Sequence, residues 1–180
     1  MNFIEQMFIL QKQLNDDTNG EVWLTGTTKE GRQIDWHRCI YMEAAEAINS
    51  FNWKHWKNIN IANDWDNIRV ELIDIWHFVM SEAIIQDLSE YANKYENNSF
   101  NTEVDSELLL ANIENILNLS IKASIDKNFN PIKAIIDLFF SAMKNIGISV
   151  EELYKRYIVK NKLNYFRQRN GYKTGQYIKI

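Results

Sequence analysis

The sequence predicts an all-α domain, a helical bundle of about five to six helices, and three observations carry that expectation. Glycine and proline are scarce, six and one in 180 residues, which leaves few of the tight turns that a many-stranded sheet requires. Apolar residues recur at three- and four-residue spacing through long segments. Asp, Asn and Ser stand just ahead of those segments, where their side chains can accept hydrogen bonds from the first unpaired helix amides. With 46% apolar and 13% aromatic residues the chain can bury a core of its own, and one domain over residues 1–180 is expected.

The first helix is expected from Asn2 to Leu14, with Phe3, Ile4, Met7, Phe8 and Leu14 near helical spacing. A polar connection rich in Gly and Thr follows, from Asp16 to Gly31. Asp35 can cap a second helix running to about Phe51. Asp64 or Asp66 can cap a third, whose apolar face is Ile68, Leu72, Ile75, Trp76, Val79 and Ile84. Residues 87–103 are polar and rich in Asn, Tyr and Glu, which suits a loop or mobile insertion. A fourth helix is expected over Val104–Ala123, with Leu109, Ile113, Ile116 and Leu117 as its stripe. Asn130 ahead of Pro131 is an N-cap followed by the favoured first-position proline, and Gly147 supplies the stop. Ser149 and Glu152 form the capping box of a last helix ending near Asn170–Gly171.

Composition narrows the function classes. Cys39 is the sole cysteine, so an internal disulfide and a thiolate metal site are both excluded. No apolar run is long enough to span a bilayer and no signal peptide is evident, so a cytoplasmic protein without a membrane partner is expected. A net charge of −4 gives no reason to expect binding along nucleic acid. From Glu151 onward, however, two acids are outnumbered by eight bases, among them Lys155, Arg156, Lys160, Arg167 and Lys173, and a polyanionic ligand could meet this end.

The chemistry concentrates in carboxylates. Glu43 and Glu46 lie three apart and so share a helix face; Glu71 and Asp74 repeat that spacing on the next helix, and His77 follows three residues later. If the two helices pack antiparallel, four carboxylates converge, and crowded like charges demand cations. All-oxygen ligation suits Mg²⁺ or Mn²⁺. Ala44, Ala45 and Ala47 are small enough to let the helices approach. The plainer alternative is a pair of amphipathic helices with solvated acidic faces. Trp53, Lys54, Trp56 and Lys57 likewise have two readings: core or dimer anchors with snorkelling lysines, or rings and charges for a base and its phosphates.

Three segments resemble one family: W-x-R-C-I-Y-M-E-x-x-E (Trp36 to Glu46), S-F-x-W-K-H-W-K (Ser50 to Lys57) and N-I-R-V-E-L-I-D-I-W-H-F (Asn67 to Phe78). They are similar to those of the dimeric all-α dUTPases, within the all-α nucleoside triphosphate pyrophosphatases. L-Q-x-x-L-N (Leu10 to Asn15) and F-R-Q-x-N-G-Y-K-x-G-x-Y (Phe166 to Tyr177) match as well, so the resemblance spans the chain. It implies an intertwined homodimer with sites built from both subunits, and hydrolysis of dUTP, and also dUDP, to dUMP. Glu43, Glu46, Glu71 and Asp74 look like ligands of two or more Mg²⁺ ions, with Mn²⁺ a possible substitute, and either Glu43 or Glu46 would orient the attacking water. Gln11 and Asn15 resemble the uracil-reading amides, and His77, Phe78 and Trp56 the walls around the base. Lys54 and Lys57 resemble basic residues near the phosphates, reaching toward the partner's site. Asn161, Asn164, Arg167, Tyr172 and Lys173 resemble the elements that close over sugar and phosphate, within a basic lid segment near 166–180. The family pattern goes on to a motif rich in Trp, Gly, Asp and Asn beyond Ile180, where this sequence ends. A related enzyme with another base preference, of dCTP or house-cleaning type, and a non-enzymatic helical dimer are the competing expectations.

Overall fold

A computed structural model describes residues 2–178. Six α-helices make up the bundle: α1 (Phe3–Asn19), α2 (Trp36–Asn49), α3 (Trp65–Ile85), α4 (Ser106–Ile125), α5 (Ile132–Asn145) and α6 (Val150–Arg169). Short 3₁₀ turns lie at Glu21–Thr25, Ser89–Tyr95 and Tyr172–Thr174. Among the described residues the only β pairing is an isolated bridge between Thr27 and Gln33.

The caps stand where hydrogen-bond chemistry calls for them. Asp35, Asp64, Asp105 and Ser149 each accept from the amide three residues on, fixing the starts of α2, α3, α4 and α6. The capping box of α6 is half formed, because Glu152 turns from Ser149 to pair with Arg156 at 2.8 Å. Pro131 precedes α5 instead of occupying its first turn, yet Asn130 Oδ1 still accepts from the Ile132 amide at 3.3 Å. Gly147 ends α5 in the left-handed conformation, φ 76°, as its position implies.

Two elements differ from expectation. Helix α1 runs five residues past Leu14, held by the Lys12–Asp16 pair at 2.7 Å and by Asn15, whose side chain is buried against Ser81. The polar stretch expected as a loop contains the 3₁₀ turn Ser89–Tyr95, which is docked on the core. Tyr91 and Tyr95 both donate to Asp137 on α5, and Glu96 accepts from the Phe3 and Ile4 amides, capping α1. These partners lie over forty residues away, so no local pattern announces them.

Helix α2 is the hub, packed against α3 and α4, while α1 packs on α6 and α4 on α5. The α2–α3 pair is antiparallel: Ser50 meets Asn67, the Glu43–Glu46 turn meets Glu71, and His37 meets Glu82. Trp76 sets the rotation of α3. Fully buried, it stacks on Phe139 at 4.7 Å and takes the edges of Phe140 and Phe8. Each such pair contributes about 0.5–1.5 kcal/mol beyond area burial. With that ring in the core, the face bearing Glu71, Asp74, Phe78 and Ser81 is committed elsewhere.

Candidate active site

The acidic residues converge at the α2–α3 crossing. Ala44 and Ala47 are fully buried there, and their small side chains permit the close approach. Ala45 takes no part in it; it is exposed, as is Met42. One carboxylate oxygen from each of Glu43, Glu46 and Glu71 lies within 4.8 Å of the others. Asp74, one turn further along α3, is held by the Lys160 ammonium of α6 at 2.5 Å, and its side chain is only 16% exposed.

The electrostatics follow from this crowding. Burial, then the charge of Asp74, then a proton shared with Glu71 push the Glu43 carboxyl up to about 8. Glu71 and Asp74 are also raised, burial being the largest cause for both, although Lys160 pulls Asp74 back toward ionisation. Hard oxygens gathered at one point, with Glu43 and Glu71 resisting their charge among neighbouring acids, fit a divalent cation.

A cavity of about 280 Å³ opens beside these carboxylates, between α1, α2, α3 and α6. Glu43 and Asp74 reach its wall, and the rings of Trp36, His77 and Phe78 form an aromatic side. Trp36 and Phe78 stack at 5.9 Å, with Trp23 edge-on behind Trp36 at 6.0 Å. Opposite are the amides of Gln11 and Asn15, set by a buried network. Gln11 Nε2 donates to Ser81 Oγ and Asn15 Oδ1, Asn15 Nδ2 donates to Ser81 Oγ, and Ser81 donates to the His77 carbonyl. His77 Nδ1 donates to Gln11 Oε1 at 2.6 Å, and Tyr157 donates to the same oxygen at 3.2 Å. Burial pushes His77 down to about 3, so its imidazole is neutral. This end of the lining, between the amides and the rings, is therefore uncharged and carries both donors and acceptors, which suits a pyrimidine. Lys160, Asn164, Arg167 and Tyr172 line the α6 side, the place for negative charge.

Other candidate residues lie outside that lining. Asn161 is buried behind it, donating to Tyr157 at 3.1 Å. Lys173 is tied to the Thr18 carbonyl at 2.6 Å and to Glu30 at 2.8 Å, pinning the terminal segment to the end of α1. Lys54, Trp56 and Lys57 sit on the connection between α2 and α3, away from the cavity of their own chain; Trp56 is 63% exposed and Lys54 bonds Asn49. Sequence reasoning missed Trp36, Lys160 and Gln168 as cavity residues, and Leu14, Thr18 and Asn19 at the end of α1. Lys160 had a signal, since 160, 164 and 167 share one helical face and two of the three were named.

A family model described as dUTPase matches residues 3–172, nearly the whole chain and every element of this site. The chain belongs to the dUTPase family. Comparison with curated proteins gives no match. Membership makes the protein a dUTP diphosphatase, an all-α enzyme of a family that works with a divalent metal, and the acidic cluster supplies a matching place for one. Among the described residues of this dUTPase, no helix is long and apolar enough to cross a membrane.

Proposed function

We propose that this dUTPase hydrolyses dUTP and dUDP to dUMP with Mg²⁺, limiting uracil incorporation into DNA and supplying dUMP. It would act in the cytoplasm on free nucleotide, as a homodimer, without nucleic-acid or membrane partners. The observation that carries the reading is the adjacency of an acidic cluster to a cavity with one neutral, amide- and ring-lined end and the bases Lys160 and Arg167 on its α6 side.

Glu43, Glu46, Glu71 and Asp74 are the residues that would hold two or more Mg²⁺ ions, with Mn²⁺ a workable substitute. Mg²⁺ bound there supplies neutralisation of phosphoryl charge and acidifies bound water. Gln11 and Asn15 present amides to the base edge, between the His77 and Phe78 rings. Of the first glutamate pair, Glu43 alone lines the cavity, which favours it as the residue that orients the attacking water. Water adds at phosphorus as the phosphoanhydride breaks, giving dUMP and diphosphate from dUTP. Arg167 and Asn164 face the phosphates and sugar, and Tyr172 with Lys173 closes the mouth behind them. Lys54 and Lys57, remote from their own cavity, would serve the partner's phosphates, with Trp56 beside them.

Product analysis tests the reading. Purified protein given dUTP, dUDP, dCTP, dTTP and UTP should release dUMP from the first two only, and only with Mg²⁺ or Mn²⁺. Glu43→Gln should lower the rate by about 10³-fold or more. Faster turnover of dCTP would move the base preference elsewhere, and turnover in excess chelator would defeat the metal reading.

A further inference from the structure

Asp74 belongs to the E-x-x-E, E-x-x-D quartet by spacing, yet its carboxylate is absent from the group of three whose oxygens lie within 4.8 Å. Its partner is Lys160, at 2.5 Å, with both side chains less than one-fifth exposed. Lys160 belongs to α6, whereas every carboxylate of the cluster belongs to α2 or α3. The ammonium lines the nucleotide cavity and also the groove between α3 and α6 on its other side. Its charge is felt by Glu71, which it helps to ionise, and by His77, which it helps to keep neutral.

We propose that Lys160 is a built-in counter-ion that holds Asp74 in the metal-free protein and competes with the divalent ion for that carboxylate. The inference rests on the reading of the quartet as a divalent-ion site. A buried carboxylate beside three others needs a cation, and a lysine from a third helix provides one without any ligand. Lysine suits an exchangeable role better than arginine, being a point charge on a flexible stem, without the planar fork that locks onto carboxylates. When a divalent ion takes Asp74, the ammonium is displaced by like charge but stays within the cavity wall, where the incoming substrate is anionic. The same contact ties α6 to α3, so metal binding would exchange a link between helices for a link within the acidic cluster.

The test is a metal titration without nucleotide, read as the shift in melting temperature against Mg²⁺ or Mn²⁺ concentration. Lys160→Met keeps the stem and removes the charge, so it should tighten metal binding by about tenfold while lowering the melting temperature of the metal-free protein. Lys160→Arg keeps the charge and adds the fork, so it should weaken metal binding by about threefold. In an Asp74→Asn background the gain from Lys160→Met should vanish, which separates competition at Asp74 from a general loss of positive charge. Unchanged or weaker metal binding in Lys160→Met, or a tenfold gain that survives Asp74→Asn, would overturn the proposal. Absence of any metal-dependent shift in wild type would instead overturn the metal-site reading beneath it. Should Lys160→Met not fold, the Lys160→Arg and Asp74→Asn titrations still decide. Lys160→Arg must then weaken metal binding by about threefold, and Asp74→Asn must erase that difference.

Discussion

Glu43 is where the cost of this site is clearest. Its folded carboxyl is raised from the ordinary 4.5 to about 8 by burial and by the neighbouring acids. Between those values the folded protein holds a proton that the unfolded chain has released, so stability falls as pH rises across the window. Metal-free protein should therefore lose stability from about pH 5 to pH 8 by more than a Glu43→Gln variant does, with the two converging at pH 5. Saturating Mg²⁺ should raise the wild-type melting temperature more at pH 8 than at pH 5, because fewer protons remain to be displaced from the carboxylates. Parallel pH profiles of wild type and Glu43→Gln without metal would refute this account of the crowding. The glutamate pairs were legible in sequence because i, i+3 spacing fixes a shared face whatever the tertiary context. The pairing of Lys160 with Asp74 was not, because it depends on α6 crossing α3, eighty-six residues away in sequence.

At the scale of elements, the α2–α3 crossing sets the carboxylate spacing, and the crossing depends on two alanines. Ala44 and Ala47 have no exposed surface, so a larger residue there must push the helices apart or go off-rotamer. Ala44→Leu should destabilise the fold by about 1–3 kcal/mol and also weaken metal-dependent stabilisation, because Glu43 is its neighbour in sequence. Ala45→Leu, on the exposed side, should do neither. Thermal melts of the two variants with and without Mg²⁺ decide the matter; equal losses would mean that α2 is oriented by something other than this contact. The helices themselves were legible because caps and apolar stripes are local properties. The 3₁₀ turn at Ser89–Tyr95 was not: its support is Asp137 and the underside of α1, and its sequence is as polar as a loop. Nor was the full reach of α1 past Leu14, which rests in part on Asn15 donating to Ser81, sixty-six residues away.

At the scale of the whole molecule, one exposed region pairs aromatic with aliphatic side chains. The connection from α2 to α3 exposes Trp53, Trp56, Ile59 and Ile61, at 47%, 63%, 66% and 58%. The two indoles pack edge to face at 5.4 Å, with Lys54 over Trp53, so they form a shaped patch and are not scattered side chains. Exposed paired aromatics of this kind suit an interface, and aromatic residues dominate such contacts energetically. The surplus of tryptophan hinted at it in sequence, but periodicity cannot distinguish a core indole such as Trp76 from an exposed one such as Trp56. A second copy of the chain is the occupant consistent with the family and with Lys54 and Lys57 standing idle at their own cavity. Light scattering on the wild-type protein should then give twice the mass of one chain at micromolar concentration. Trp56→Glu combined with Ile59→Glu should shift it toward monomer without unfolding it, since neither residue has a place in the core. If the lysines complete the neighbour's site, dUTP hydrolysis per chain should fall with dilution in step with dissociation. A monomeric wild type, or full activity in a monomeric variant, would place the whole site within one chain.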